Sequence, residues 1–156
     1  MPEECKNQLL KYWKKSSQDK IKLIKLMYDE FGEHVLEVLN EDNKKETIKE
    51  WREIAEGRHS NDIPDLIECL WKNMGSEQGW DYSIEKKDEG VQITCTKCPL
   101  VEISEKGGSK KIGYELYCKS DYYINEGFNS EIKMKRTKTL MQGDDCCNHF
   151  YFYEKK

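Results

Sequence analysis

The sequence predicts an α+β fold: a helical N-terminal lobe followed by an antiparallel sheet of two hairpins with inserted helices. Three observations carry this reading. Apolar residues recur at helical spacing through roughly the first 75 positions. The pattern switches to strand-like alternation over residues 80–97, and alternates again on both sides of Gly143. Helices first and strands later is the order of an α+β chain. A chain of 156 residues is long enough for one domain with a real core. We read residues 1–156 as a single domain, with 1–75 the helical lobe and 76–156 the α+β ligand-binding part.

The elements follow in order. Residues 3–15 carry Leu9, Leu10, Tyr12 and Trp13 as a short amphipathic helix. Residues 17–40 carry Ile21, Ile24, Met27, Tyr28 and Phe31, and Val35, Leu36, Val38 and Leu39 continue the pattern past a break expected at Gly32. A third helix spans 43–56 around Ile48, Trp51 and Ala55, and Gly57 stops it. Over 63–74, Ile63, Leu66, Ile67, Leu70, Trp71 and Met74 make one stripe, capped by Asn61 or Asp62 with Pro64 in the first turn. Strands at 80–86 and 90–97 flank the turn Asp88-Glu89-Gly90. Pro99 opens a short helix that Gly107-Gly108 closes, and another helix covers 110–126. Strands 131–141 and 147–153 form the second hairpin.

Composition narrows the function. Charged residues make up 36% of the chain, the net charge is −4 and mean hydropathy is −0.93. No apolar run approaches the ~20 residues that a membrane span needs. The N-terminal MPEECKNQLL lacks a basic region followed by an apolar core, so it does not read as a secretory signal. Lys133, Lys135, Arg136 and Lys138 form the densest basic cluster, which fits a solvated strand edge better than a nucleic-acid site in an acidic chain. The cysteine count is seven, an odd number, which favours reduced thiols in a cytoplasmic setting over a disulfide frame. Cys5 reads as incidental and Cys69 as core. The other five lie in the C-terminal half.

That half also holds the groups able to carry chemistry. Strand side chains alternate faces, so Ile132, Met134 and Leu140 turn Arg136 inward with them. An inward guanidinium meets a carboxylate, from the protein or from a ligand. Tyr114, Tyr117, Cys118, Asp121 and Tyr122 share one helix face, lining a polar cavity or lying on the surface. Cys98 precedes Pro99 at a helix N-terminus, where a thiol pKa falls. It is a candidate nucleophile or thiolate ligand, or else a small buried residue. Cys147 and His149 share a strand face with Tyr151 and Tyr153, roughly 7 Å apart by strand rise. They read as a base-activated nucleophile, half a zinc site or a half-exposed face. The single Cys95-x-x-Cys98 is a weak zinc signal. His34 and His59 read as surface histidines.

Several of these segments resemble one family. CPLVEI at 98–103, YCKSD ending at Asp121, RTKTLMQGDDCCNHFYF at 136–152 and RHSNDIPDLIECLW at 58–71 are similar to the L-2-amino-thiazoline-4-carboxylic acid hydrolases. Asn148 stands where many members carry Asp. The resemblance implies hydrolytic opening of a small cyclic amidine towards a carbamoyl-cysteine. A more distant likeness is to 4-vinyl reductase-type sensor domains, which hold a metal on Cys-rich ligands at the C-terminal hairpin. Arg136 and Thr139 stand here at two of those ligand positions.

Together these readings give an expectation. Arg136 holds a substrate carboxylate, with Tyr114 and Tyr117 lining the site. A thiolate (Cys98, Cys118 or Cys147) or a water attacks the amidine carbon. Asp121 or His149 moves the proton. The alternatives are a non-enzymatic small-molecule sensor and a small zinc-stabilised domain. The sequence leaves the cofactor open. It implies no nucleic-acid or membrane partner, and Trp13, Trp51 and Trp71 are candidates to face a second subunit in a homodimer.

Overall fold

The computed structural model describes residues 2–75 and 78–154. Two long helices open the chain, α1 (Glu3–Phe31) and α2 (His34–Glu56). Gly32, at φ 71°, makes the turn between them at the expected break. The gap expected near residue 16 is absent, and the helical stretch expected past Gly32 to residue 40 joins the helix expected at 43–56 as one helix, α2. Ser16-Ser17 and the polar run Glu41–Lys45 lack apolar marks, yet nothing in them breaks a helix.

Helix α3 (Ile63–Ile67) is capped by Asp62, whose carboxylate accepts from the Asp65 N–H, and it widens into a π-helical turn at Glu68–Gly75. The Met74 side chain lies outside the described residues. Strands β1 (Asp81–Lys87) and β2 (Gly90–Lys97) form the first hairpin as expected. Next come α4 (Pro99–Lys106), α5 (Lys110–Gly113), a second π-helical turn at Tyr114–Cys118 and α6 (Ser120–Phe128). Strand β3 (Ile132–Lys135), a 3₁₀ turn at Leu140–Gln142 and β4 (Cys147–Tyr153) complete the chain. The sheet is antiparallel with strand order β1-β2-β4-β3. The α+β prediction therefore holds.

The second hairpin is less regular than its alternation predicted. Pairing of β3 with β4 stops at Lys135 opposite Phe150. Beyond it, the Asn148 side chain takes over the ladder's work. Its Oδ1 accepts from the N–H groups of Thr137 (2.9 Å) and Lys138 (2.7 Å), and its Nδ2 donates to Thr137 Oγ1 at 2.8 Å. Thr139 then caps the 3₁₀ turn, and the Leu140 N–H donates to Cys147 Sγ at 3.2 Å. A side-chain amide that satisfies two backbone donors removes the need for strand geometry there.

Two clusters form the core. The first packs Trp51, Leu66, Ile67, Trp71, Ile124 and Phe128 against Ile93, Cys95, Cys147 and Tyr151 on the inner face of the sheet. The second joins Ile21, Ile24, Leu36, Ile103, Ile112 and Leu116 among α1, α2, α4, α5 and the second π turn. Helix α6 sits close on α2 because Gly127 has no side chain. A Cβ there would fall 2.6 Å from the Ile48 carbonyl oxygen.

Candidate functional site

One cavity of about 320 Å³ lies where residues of both clusters meet. That volume suits a small ligand. Trp13 of α1, Trp71 of the first π turn and Trp80 just before β1 form an aromatic wall, with Trp13 and Trp80 in tilted contact at 6.2 Å. The polar groups come from four segments. The second π turn and α6 bring Tyr117, Cys118 and Asp121, the segment after β3 brings Arg136, and β4 brings Cys147 and His149.

Asp121, Arg136 and His149 form a connected cluster. The Arg136 side chain is 2% exposed and Nη1 donates to Asp121 Oδ2. Its Nη2 donates to the Cys118 carbonyl at 2.9 Å. The guanidinium also lies over the rings of Tyr122 (5.4 Å) and Tyr114 (6.0 Å). His149 Nε2 is 3.2 Å from Asp121 Oδ2 and 3.3 Å from Arg136 Nη1. Asp121 Oδ2 only accepts and Arg136 Nη1 only donates; we assign the proton to Nε2, donated to the nearer Asp121 carboxylate. Nδ1 then keeps its lone pair. It is buried and has no hydrogen-bond partner. Trp71 packs edge-on against the imidazole at 5.0 Å, and Tyr151 stacks on it at 6.3 Å. Trp71 is itself fixed by donating to Tyr151 Oη at 3.1 Å.

The structure therefore gathers Cys98, Tyr117, Cys118, Asp121, Arg136, Cys147 and His149 at one cavity. Tyr114 is not in its wall and packs on Arg136 instead. The π turn explains the difference. An α-helical period puts Tyr114, Tyr117, Cys118, Asp121 and Tyr122 on one face, whereas the wider turn splits them between the cavity and the guanidinium. Trp13, Trp80 and Cys95 also line the cavity and were not anticipated there. Their only sequence signal is that three of the four tryptophans turn out to share it.

The thiols are not activated. Burial pushes Cys98 up to about 11, outweighing the backbone N–H groups of Leu100 and Val101 that lower it. The helix N-terminus thus acts as expected on Cys98 but loses to desolvation. Burial likewise raises Cys95 to about 12, and it raises Cys118 and Cys147. Among the described residues, no three His, Cys, Asp or Glu side chains are grouped so as to hold a metal ion. Thr139 is buried and occupied in capping the 3₁₀ turn. His34 pairs with Glu37 on the surface, and His59 is exposed.

A family model for L-2-amino-thiazoline-4-carboxylic acid hydrolase matches residues 8–151. The chain belongs to this family. The match spans α1 to β4, so in this hydrolase family member it takes in every residue of the cavity wall. No curated protein matches the chain significantly. Among the described residues no helix is long and apolar enough to cross a membrane.

Proposed function

We propose that this chain hydrolyses a carbon–nitrogen bond of a small cyclic amidine, of the 2-aminothiazoline-4-carboxylate type. The observation that carries this reading is His149 in the wall of a small aromatic cavity, with Asp121 on one ring nitrogen and the other, Nδ1, buried without a partner. Burying a polar atom unpaired costs free energy; Asn40, Arg58 and Asn125 bear the same cost, and His149 differs from them in lining the cavity beside Asp121. An imidazole oriented by a carboxylate is the arrangement of a general base.

In this mechanism the amidine lies flat against the tryptophans and Tyr117. Nδ1 is closed to solvent in this structure, so a side-chain shift in the wall admits the water; His149 Nδ1 then takes a proton from that water as its oxygen bonds to the amidine carbon. Asp121 keeps the tautomer and stabilises the imidazolium. The tetrahedral carbon then collapses, the ring carbon–nitrogen bond breaks, and the imidazolium returns its proton to the departing nitrogen. Water is the nucleophile in this reading because the cavity thiols are held protonated. Arg136 is a positioning residue, since its terminal nitrogens already have acceptors on Asp121 and Cys118. The setting of these steps is the cytoplasm, where reduced thiols persist.

The test is hydrolysis of 2-aminothiazoline-4-carboxylate and related cyclic amidines by wild type and by His149→Gln. Turnover in the wild type should fall by about 10²–10⁴-fold in the variant, the usual weight of general-base catalysis. The alternative is a ligand-binding sensor, which the unactivated thiols and satisfied guanidinium would suit. Stoichiometric binding of the heterocycle with no turnover in the wild type would replace the enzyme with that sensor.

A further inference from the structure

The face of α1 that turns away from the core is apolar where a solvated helix is polar. Leu23, Leu26, Met27 and Phe31 are 60%, 68%, 43% and 69% exposed, while Ile21 and Ile24, beside the stripe where α1 packs on the fold, are buried. Four large exposed apolar side chains on one surface of two helical turns make a patch rather than scatter. The charges around the patch are ordered along the chain. Lys15, Lys20 and Lys22 stand before it and Glu30, Glu33 and Glu37 at its C-terminal end, the last two on the turn and on α2, while Asp19 among the lysines pairs with Lys15 and Lys25 within the patch pairs with Asp29. Lys15 pairs with Asp19, Glu33 with Lys111 and Glu37 with His34. Among the described residues, no ion pair uses Lys22 or Glu30.

We propose that this face is the interface of a two-fold homodimer, with α1 crossing antiparallel over α1 of a second copy near Leu26 and Met27. A two-fold interface must be self-complementary. Antiparallel crossing at that point sets Leu23 of one copy near Phe31 of the other and Lys22 near Glu30. Basic residues before the patch then meet acidic residues after it, at both ends. A parallel crossing stacks Lys22 on Lys22 and Glu30 on Glu30, which is repulsive. An anionic lipid surface would be drawn to the lysines but repelled by the three glutamates that border the same patch. The charge order thus selects a second copy of this chain. Helix α1 also carries Trp13 of the cavity wall, so the dimer holds in place a helix that lines the site.

Sedimentation of the full chain over a concentration series tests this. The mass should rise from 18.5 kDa towards twice that value. Leu26→Glu should remain monomeric with unchanged circular dichroism and Tm, since Leu26 is mostly exposed. Lys22→Glu and Glu30→Lys should each weaken the dimer, and the double exchange should restore it. The proposal is overturned by a wild type that stays monomeric at every concentration, by a dimer that survives Leu26→Glu, or by a double exchange that fails to rescue. Binding of a monomeric wild type to phosphatidylserine vesicles, lost in Leu26→Glu, would assign the face to lipid and overturn it as well. None of these outcomes depends on the proposed hydrolysis.

Discussion

The carboxylate of Asp121 neutralises the guanidinium of Arg136 inside the fold, and the same oxygen contacts His149. The two partners lie 15 residues apart, on α6 and on the segment just after β3. A buried cation without its anion is far costlier than the pair is beneficial.

Removing the anion is therefore expected to destabilise strongly. Asp121→Ala should lower unfolding free energy by about 3–5 kcal/mol in urea titration, because it strands a buried charge. Asp121→Ala combined with Arg136→Met should recover much of that loss. A double variant no more stable than the single one would show that the charge pair is not the cause.

Alkaline pH should weaken the fold through the buried thiols. The folded Cys98 is held near 11 by burial, and an unfolded cysteine titrates near ~8.5. Between those values the unfolded chain releases a proton that the native chain keeps. The stabilisation is thus complete below about pH 8.5 and is lost as pH rises towards 11. Tm should fall across that window, and the slope should be shallower in Cys98→Ala. Iodoacetamide at neutral pH should modify exposed Cys5 well before the cavity thiols. Equal labelling rates would contradict the partial burial of Cys98 and Cys118.

Asn148 should matter through its oxygen. Asn148→Ala leaves the Thr137 and Lys138 N–H groups without their acceptor and should cost about 1–3 kcal/mol. Asn148→Asp keeps that acceptor and loses only the donor to Thr137 Oγ1, so it should sit much closer to wild type. Urea unfolding of the two variants makes the comparison.

Gly127→Ala should destabilise through overpacking. The new methyl would meet the Ile48 backbone and the Trp51 side chain at 2.6–3.0 Å, and such strain costs about 1–3 kcal/mol. Gly127 is buried within α6, so the change also raises helix propensity. An unchanged or raised Tm would mean that α2 and α6 can part without loss.

Much of the architecture was legible because it is written in local periodicity. The break at Gly32, the β1–β2 hairpin, the helix opened by Pro99, and the inward turn of Arg136 and His149 all follow from near-neighbour geometry. The end of β3 was not legible. It depends on an Asn148 side chain from another strand, and alternation alone cannot report a replaced ladder. The split of the Tyr114–Tyr122 face was likewise hidden, since a π turn inserts a residue into a period that the sequence still shows as 3.6.

The sequence by itself determined the fold class, the family, and which strand positions turn their polar side chains inward. Each of these rests on residue order over a few turns or on matched segments. Only the tertiary structure decided that Asp121 is the partner of Arg136, that Trp13 and Trp80 close the same cavity, and that the thiols are held protonated. Those facts depend on which distant surfaces meet and how much water they exclude. Desolvation and charge pairing belong to the packed three-dimensional environment, and no stretch of chain carries them alone.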